Sequence, residues 1–340
     1  MTEKKQKKSD IIAVAKAARV SPSTVSRSFN HPELVKPATR KKIDAAVRRL
    51  GYIRNRAAQT IHGIRSGTIG VIVPTIDQAI FAELIQSFSS AVEEMGFTIL
   101  LATHGYSLER EYALARKMLE HRVDGVCLIG VEHSADTYEL LAQQNIPALL
   151  LWNHSKGAPL PCVGSDNYQA GYLIGRHIAE LGHEKIAAIF PPLGGNDRAS
   201  QRMEGVVDAL QSNGRAIRGD WHLEMPYSVA SAKSAVRSLI SADERPTAFI
   251  CGNDVLAWGA LHALNREGVK VPEDVTVTGI GDFNGSKDFE PSLTTVRIPA
   301  RTIGKRAAEA IVRLITSAGE EDVGSLVMPE LVVRKTSGVC

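Results

Sequence analysis

The chain has 340 residues, of which 44% are apolar and 23% charged, the make-up of a globular protein of two or three domains and not of a disordered or collagen-like one. Its net charge of +3 conceals a division: residues 1–66 carry sixteen Lys and Arg against Glu3, Asp10, Glu33 and Asp44, a net of +12, which leaves −9 for residues 67–340. The longest apolar run, Ile146 to Trp152, is far shorter than the roughly 20 residues of a spanning helix, and the basic N-terminus leads into Asp10, not an apolar signal core. Membrane insertion and secretion are therefore not expected. Cys127, Cys162, Cys251 and Cys340 stand 35 or more residues apart with no Cys-x-x-Cys pair, so neither a zinc site nor a disulfide framework is expected. A cytoplasmic location without a cofactor fits.

Ile11, Val14, Ala15 and Ala18 repeat at helical spacing and predict a short amphipathic first helix. A second begins at Ser21, whose hydroxyl suits a cap, with Pro22 at the first helical position, where its missing donor is harmless. Val25 and Phe29 give it a buried face. A third, Ala38 to Leu50, turns Ile43, Ala46, Val47 and Leu50 inward and Arg40, Lys41, Lys42, Arg48 and Arg49 outward. Three short helices, the first two joined by a tight turn at Arg19 and Val20, make a helix-turn-helix whose exposed cations attract phosphates. A solvated basic cap is the plainer alternative. The segment Arg56 to Ile64 has Ala57, Ala58 and Ile61 at helical spacing but is bounded by Gly63 and Gly67, too short to hold a helix alone in water. A hinge helix formed only on DNA and an ordinary linker both remain open on this composition.

Val20-Ser-Pro-Ser-Thr-Val-Ser-Arg27, Thr39-Arg40, Leu50-Gly-Tyr-Ile-Arg-Asn-Arg-Ala-Ala58 and Thr68-Ile-Gly-Val-Ile-Val-Pro74 resemble the lactose-repressor (LacI/GalR) family of bacterial transcription regulators, and the resemblance runs to the C-terminus. It implies a sequence-specific, double-stranded-operator-binding homodimer with no enzymatic activity. It implies DNA contacts from Ser21, Pro22, Ser23, Thr24, Ser26 and Arg27 on the second helix, and from Asn55, Arg56, Ala58 and Ile61 in the hinge, with Ile61 wedged into the central base step from the minor groove. For Arg27, a bidentate contact to guanine and a phosphate clamp both stay open. Two positions depart from the family pattern: Arg19 stands where Gly usually takes a left-handed turn, and Lys36 where Ser commonly caps the third helix.

Beyond Thr68, strand-like runs alternate with helical ones: Ile69 to Pro74, Phe81 to Met95, Thr98 to Ala102, Leu108 to His121, Gly125 to Ile129, Ala135 to Gln144 and Ala148 to Leu151. A second series takes in Cys162 to Gly164, Tyr168 to Leu181, Lys185 to Phe190, Ser200 to Ser212, Ala230 to Ile240, Thr247 to Cys251, Val255 to Glu267 and Val275 to Ile280. Two parallel α/β halves form a clamshell, with ligands outside the carboxyl ends of the strands. The expected whole is an all-α helix-turn-helix headpiece (1–54), a hinge (55–67) and a periplasmic-binding-protein-like α/β core of two parallel-sheet subdomains (68–340). By the resemblance, the first subdomain takes about 68–165 and 296–324, the second about 166–295 and 325–340.

Strand ends nominate cleft residues Gln78, Ile80, Phe81, His104, Tyr106, Glu132, His133, Trp152 and Asn153 on one half, and Asp166, Arg198, Arg202, Tyr227, Asn253, Asp254 and Asp282 on the other. Aromatic planes with Asn, Asp and Arg describe a polyol site. The effector-binding set is Phe81, His104, Tyr106, His133, Trp152, Asn153, Arg202, Tyr227, Asn253 and Asp282, with Arg202, Tyr227 and the Asn253-Asp254 pair matching family positions. At Gly281 the family commonly has an acid that grips sugar hydroxyls. Its absence, with His104-Gly-Tyr106 and Glu132-His133, resembles the gluconate-repressor branch, whose effectors are sugar acids. A corepressor-dependent regulator, a neutral sugar or nucleobase effector, and a sugar-binding protein without DNA function are the alternatives. Gly279-x-Gly-x-x-x-Gly285 has the wrong spacing for a dinucleotide fingerprint and Gly194-Gly195 lacks the Lys of a phosphate loop, so no reaction is expected.

Overall fold

The computed structural model describes residues 9–53, 65–317 and 323–340. Its contacts divide the chain into two compact units, Met1–Ser66 and Gly67–Cys340. Asn55, Arg56, Ala58 and Ile61, with the hinge from 55 to 64, lie outside the described residues.

In the first unit, α1 (Ile11–Ala18) starts at Asp10, whose carboxylate accepts from Ala13 N–H at 2.8 Å. It ends at Arg19, held left-handed at φ 58° with its N–H on the carbonyls of Ala15 and Lys16. The turn therefore keeps the backbone that glycine adopts freely, although an L-residue is disfavoured there by about 1–2 kcal/mol. In α2 (Pro22–Asn30), Ser21 Oγ accepts from Thr24 N–H at 3.1 Å and Pro22 occupies the first helical position. A single 3-10 turn leads to α3 (Pro37–Leu50), where Lys36 makes no side-chain cap. Val14, Ala15, Ala18, Val25, Ile43 and Ala46 form the core, with Phe29, Val47, Leu50 and Tyr52 packed on it.

The second unit holds two six-stranded sheets. The first lobe is built from β1 (Thr68–Val73), α4 (Ala79–Glu94), β2 (Thr98–Thr103), α5 (Leu108–Glu120), β3 (Gly125–Ile129), α6 (Ala135–Gln143), β4 (Ala148–Asn153) and β5 (Cys162–Ser165). The second lobe continues with α7 (Asn167–Glu180), β6 (Ile186–Phe190), α8 (Asp197–Ser212), β7 (Ile217–Glu224), α9 (Val229–Ile240), β8 (Ala248–Cys251), α10 (Asp254–Arg266), β9 (Thr276–Gly281) and β10 (Thr294–Arg297). The chain then returns for α11 (Ala300–Thr316) and β11 (Ser325–Leu326), and crosses back for β12 (Glu330–Val332). The orders are β11-β5-β4-β3-β1-β2 and β12-β10-β9-β8-β6-β7. Every described pairing is parallel except β10 with β12.

Three details differ from the sequence reading. Cys162 to Gly164 pairs with β4 in the first sheet and does not open the second series. The boundaries drawn at about 296 and 325 each fall two residues early, because Val296 and Arg297 still pair with Ile280 and Gly281, while Ser325 and Leu326 pair with Val163 and Gly164. The second sheet is also not purely parallel. Its edge is closed by the antiparallel β12, a strand only three residues long.

Candidate functional site

On the headpiece, Ser21, Pro22, Ser23 and Arg27 are exposed, Thr24 and Ser26 are half-buried, and Val25 and Ser28 face the core. The capping job constrains Ser21: besides Thr24 N–H, its hydroxyl lies 2.8 Å from those of Ser23 and Thr24. Pro22, Ser23 and Arg27 thus share a solvent face at the N-terminal end of α2, and Lys36, Arg40, Lys41, Lys42, Arg48 and Arg49 are exposed nearby in sequence. An exposed helix end on a unit rich in exposed cations is what a major groove accepts.

In the second unit, the strand ends of both sheets converge on a narrow cavity of about 20 Å³ lined by Gln78, Ile80, Phe81, Tyr106, Trp152, Arg198, Arg202, Tyr227, Asn253 and Phe283. A wider depression around His262, Lys270 and Phe289 lies on the outer side of the second lobe, away from those ends. Phe81 meets Trp152 edge to face, with ring centroids 5.7 Å apart. Tyr106 OH accepts from Gln78 Nε2 at 3.2 Å, and Tyr227 OH from Asn196 Nδ2 at 3.2 Å. Burial pushes the Tyr106 hydroxyl up to about 12, so it enters any contact protonated. Tyr106 and Trp152 hold φ of 63° and 79°, and strained backbone at the wall of a cleft is characteristic of a site whose geometry is held by its surroundings.

Arg202 is the most constrained of the polar groups. Its Nε donates to Asn167 Oδ1 at 2.8 Å and its Nη1 to the Gly252 carbonyl at 3.1 Å. Burial lowers its pKa, and the positive charge of Arg198 adds to that. Two buried guanidiniums therefore face one cavity, whose lining includes no Asp or Glu among the described residues. Asn253 caps α10, its Oδ1 accepting from Leu256 N–H at 3.0 Å, and its buried Nδ2 has no partner. The adjoining Asp254 is not the cap. It is fully buried behind the cavity wall, accepting from Phe283 N–H, Ser286 Oγ and Thr295 Oγ1 at 2.7, 2.7 and 2.6 Å.

Of the expected effector set, Phe81, Tyr106, Trp152, Arg202, Tyr227 and Asn253 line the cavity; His104, His133, Asn153 and Asp282 do not. His133 is turned into the first lobe, with Nδ1 2.7 Å from Glu111 Oε1 and Nε2 3.2 Å from the Gly130 carbonyl. His104 is 5% exposed and lies 3.7 Å from the other Glu111 oxygen. Asn153 spends its amide on Asp197 and Asn167. Asp282 is clamped between Arg297 Nε at 2.8 Å and Arg334 Nη2 at 2.6 Å. Gln78, Ile80 and Arg198 came from the wider strand-end selection, whereas Phe283 was missed. A Cβ on Gly281 would overlap the Phe283 ring. That ring occupies the space in which an acid at position 281 would begin.

Residues 10–55 match the model of bacterial regulatory proteins of the lacI family, and residues 66–334 match that of the periplasmic binding proteins and sugar binding domain of the LacI family. The HTH-type transcriptional repressors PurR of Erwinia tasmaniensis and Klebsiella pneumoniae are 31% and 30% identical over 325 residues, 95% of each chain. The lac repressor dimer bound to operator and the anti-inducer ONPF superposes with a TM-score of 0.85 at 27% identity, covering 98% of this chain and 100% of that one. The regulator GntR of Chromobacterium violaceum does so with 0.75 at 26%, covering 79% and 99%. With the helix-turn-helix, the paired sheets and the cleft already in place, these matches settle the class: the chain is a DNA-binding transcriptional repressor with an effector-binding domain, not an enzyme, and belongs to the LacI family.

Proposed function

We propose that this repressor controls a sugar-acid catabolic operon and is released from a pseudo-palindromic operator, as a homodimer, by a gluconate-type effector. The observation that carries the reading is Arg202, a buried guanidinium on the lining whose described hydrogen bonds go to Asn167 and the Gly252 carbonyl and to no carboxylate, beside Arg198, which is paired with Asp197. A carboxylate ligand would relieve the repulsion between the two guanidiniums and form charge-assisted, paired hydrogen bonds. The unpartnered Asn253 Nδ2 supplies a donor for a hydroxyl, and Phe81, Trp152 and Tyr227 supply faces for a carbon chain. Recognition of DNA falls to Ser21, Pro22, Ser23, Thr24, Ser26 and Arg27, with Asn55, Arg56, Ala58 and Ile61 in the hinge of residues 55–67.

A second reading, a nucleobase acting as corepressor, draws on the same aromatic lining, which suits a planar heterocycle. Calorimetric titration of gluconate, keto-gluconates, neutral hexoses and purine bases into the intact chain separates the two. The acid is expected to bind, and Arg202→Ala to cost about 1.5–3 kcal/mol of that binding, the worth of a hydrogen bond to a charged group. Tight binding of a neutral sugar or base, with no acid detected, would refute the effector class and leave the repressor intact.

A further inference from the structure

The carboxylate of Asp197, at the start of α8 in the second lobe, is saturated by protein donors, and half of them come from the other lobe. Oδ2 accepts from the Val131 N–H at 2.7 Å, just past β3, and from Nδ2 of Asn153, the last residue of β4, at 2.8 Å, both first-lobe groups. Oδ1 accepts from the N–H and Nη1 of Arg198 at 2.8 and 2.7 Å. The lobes approach closely here: a Cβ on Gly130, which sits at φ 98°, would lie 2.5 Å from Arg198 Nη1 and 3.0 Å from Asp197 Oδ2. The same Asn153 side chain continues the network, its Oδ1 accepting from Asn167 Nδ2, while Asn167 Oδ1 holds Arg202 Nε. Asp197, Val131, Asn153 and Asn167 are absent from the cavity lining. The network therefore spans the lobes without occupying ligand space.

We infer that Asp197 is a closure latch, a positioning residue whose carboxylate holds the two lobes shut by accepting two first-lobe hydrogen bonds and so sets Arg202 and Arg198 around the cavity without touching the ligand. Only a carboxylate serves all four donors, because an amide offers one acceptor oxygen and turns two hydrogens toward other donors. Opening the clamshell exposes the Val131 N–H, the Asn153 amide and the Asp197 carboxylate to water together, so the latch is made or broken as a unit. The importance of closure rests on the effector-site reading, but the latch itself is testable with no effector present.

The test is the separation of the lobes. Spin labels at Ala113 on α5 and Ser238 on α9, both exposed, are placed in the full chain with the exposed Cys340 replaced by Ser and diluted with unlabelled chain. Wild type is expected to give one short, narrow distance population. Asp197→Ala should shift it to longer and broader distances with an unchanged circular dichroism spectrum, and Asp197→Asn, which keeps one acceptor, should fall between. A folded Asp197→Ala chain with the wild-type distance overturns the latch. If that variant does not fold, Asn153→Asp sets a second carboxylate against Asp197 and must also lengthen the distance; an unaltered distance there overturns the latch equally. Because no ligand enters the measurement, failure here is distinct from failure of the sugar-acid reading.

Discussion

Asp254 shows what a buried carboxylate costs and contributes. Burial pushes its carboxyl up to about 6 against the pull of its three hydrogen bonds, while the unfolded side chain titrates near about 3.9. Between those values the folded chain holds a proton that the unfolded chain has released, so this group makes stability fall as pH rises from about 4 to 6, by an amount on the order of 3 kcal/mol. His177 and His183 act in the opposite sense: burial lowers both below 6.5, so the unfolded imidazoles protonate first and stability drops as pH falls through that region. Asp254→Asn isolates the first contribution, since its amide oxygen can still accept from Phe283 N–H and Ser286 Oγ while Thr295 turns its hydroxyl to accept. Thermal melts should show the wild type losing stability relative to Asp254→Asn as pH rises from about 4 to 6; a pH-independent difference would remove the burial account. At this scale, six of the ten effector candidates reach the cavity. Strand-end position and family match brought out Arg202, Tyr227 and Asn253, but position says nothing of where a side chain points. Glu111 draws His133 inward, Arg297 and Arg334 hold Asp282, and the neighbouring Phe283 reaches the cavity instead.

Among the elements, α8 supplies both arginines of the lining, and glycine lets α7 touch it. A Cβ on Gly171 would overlap the carbonyl of Arg202, and one on Gly205 the carbonyl of Tyr168, so either alanine forces the helices apart. Gly171→Ala is expected to lower the unfolding free energy by about 1–3 kcal/mol, the usual cost of overpacking, and to weaken gluconate binding further by displacing Arg202 from Asn167. A variant of wild-type stability would mean that the helices are free to slide. On the headpiece, α2 is the reading element: if Arg27 contacts a base, Arg27→Ala should cost about 1–3 kcal/mol on the operator and much less on random DNA, and equal losses in gel shifts would make it a phosphate clamp. Element signals were uneven in the sequence. The Ser21-Pro22 start of α2 announces itself through capping chemistry, and Ile303, Ala307, Ile311 and Ile315 give α11 a clear helical face that the alternating series passed over. In contrast, β7 is an edge strand whose residues are mostly exposed, and β11 is two residues long, so neither carries enough apolar period to be read.

For the molecule as a whole, the informative quantity is the division of charge, +12 on residues 1–66 against −9 on the rest. Like charge repels DNA from the larger unit and leaves the headpiece as the cationic surface, so operator affinity should fall steeply with salt, by about 0.9 in the log–log slope for each phosphate neutralised. Effector and operator then meet through thermodynamics, whatever path joins them. If gluconate weakens operator binding by some factor, operator must weaken gluconate binding by the same factor, since both are edges of one cycle. Calorimetric titration of gluconate into the free chain and into the chain saturated with operator, alongside operator binding measured with and without gluconate at one salt concentration, gives both factors. Equal factors above one are expected for induction. Tighter gluconate binding on operator, matched by tighter operator binding with gluconate, would make the ligand a corepressor and reverse the proposed sign. Equal gluconate affinity in both titrations would mean that the cavity does not report to the DNA at all, and gluconate would then be a bystander in that cleft and not the signal.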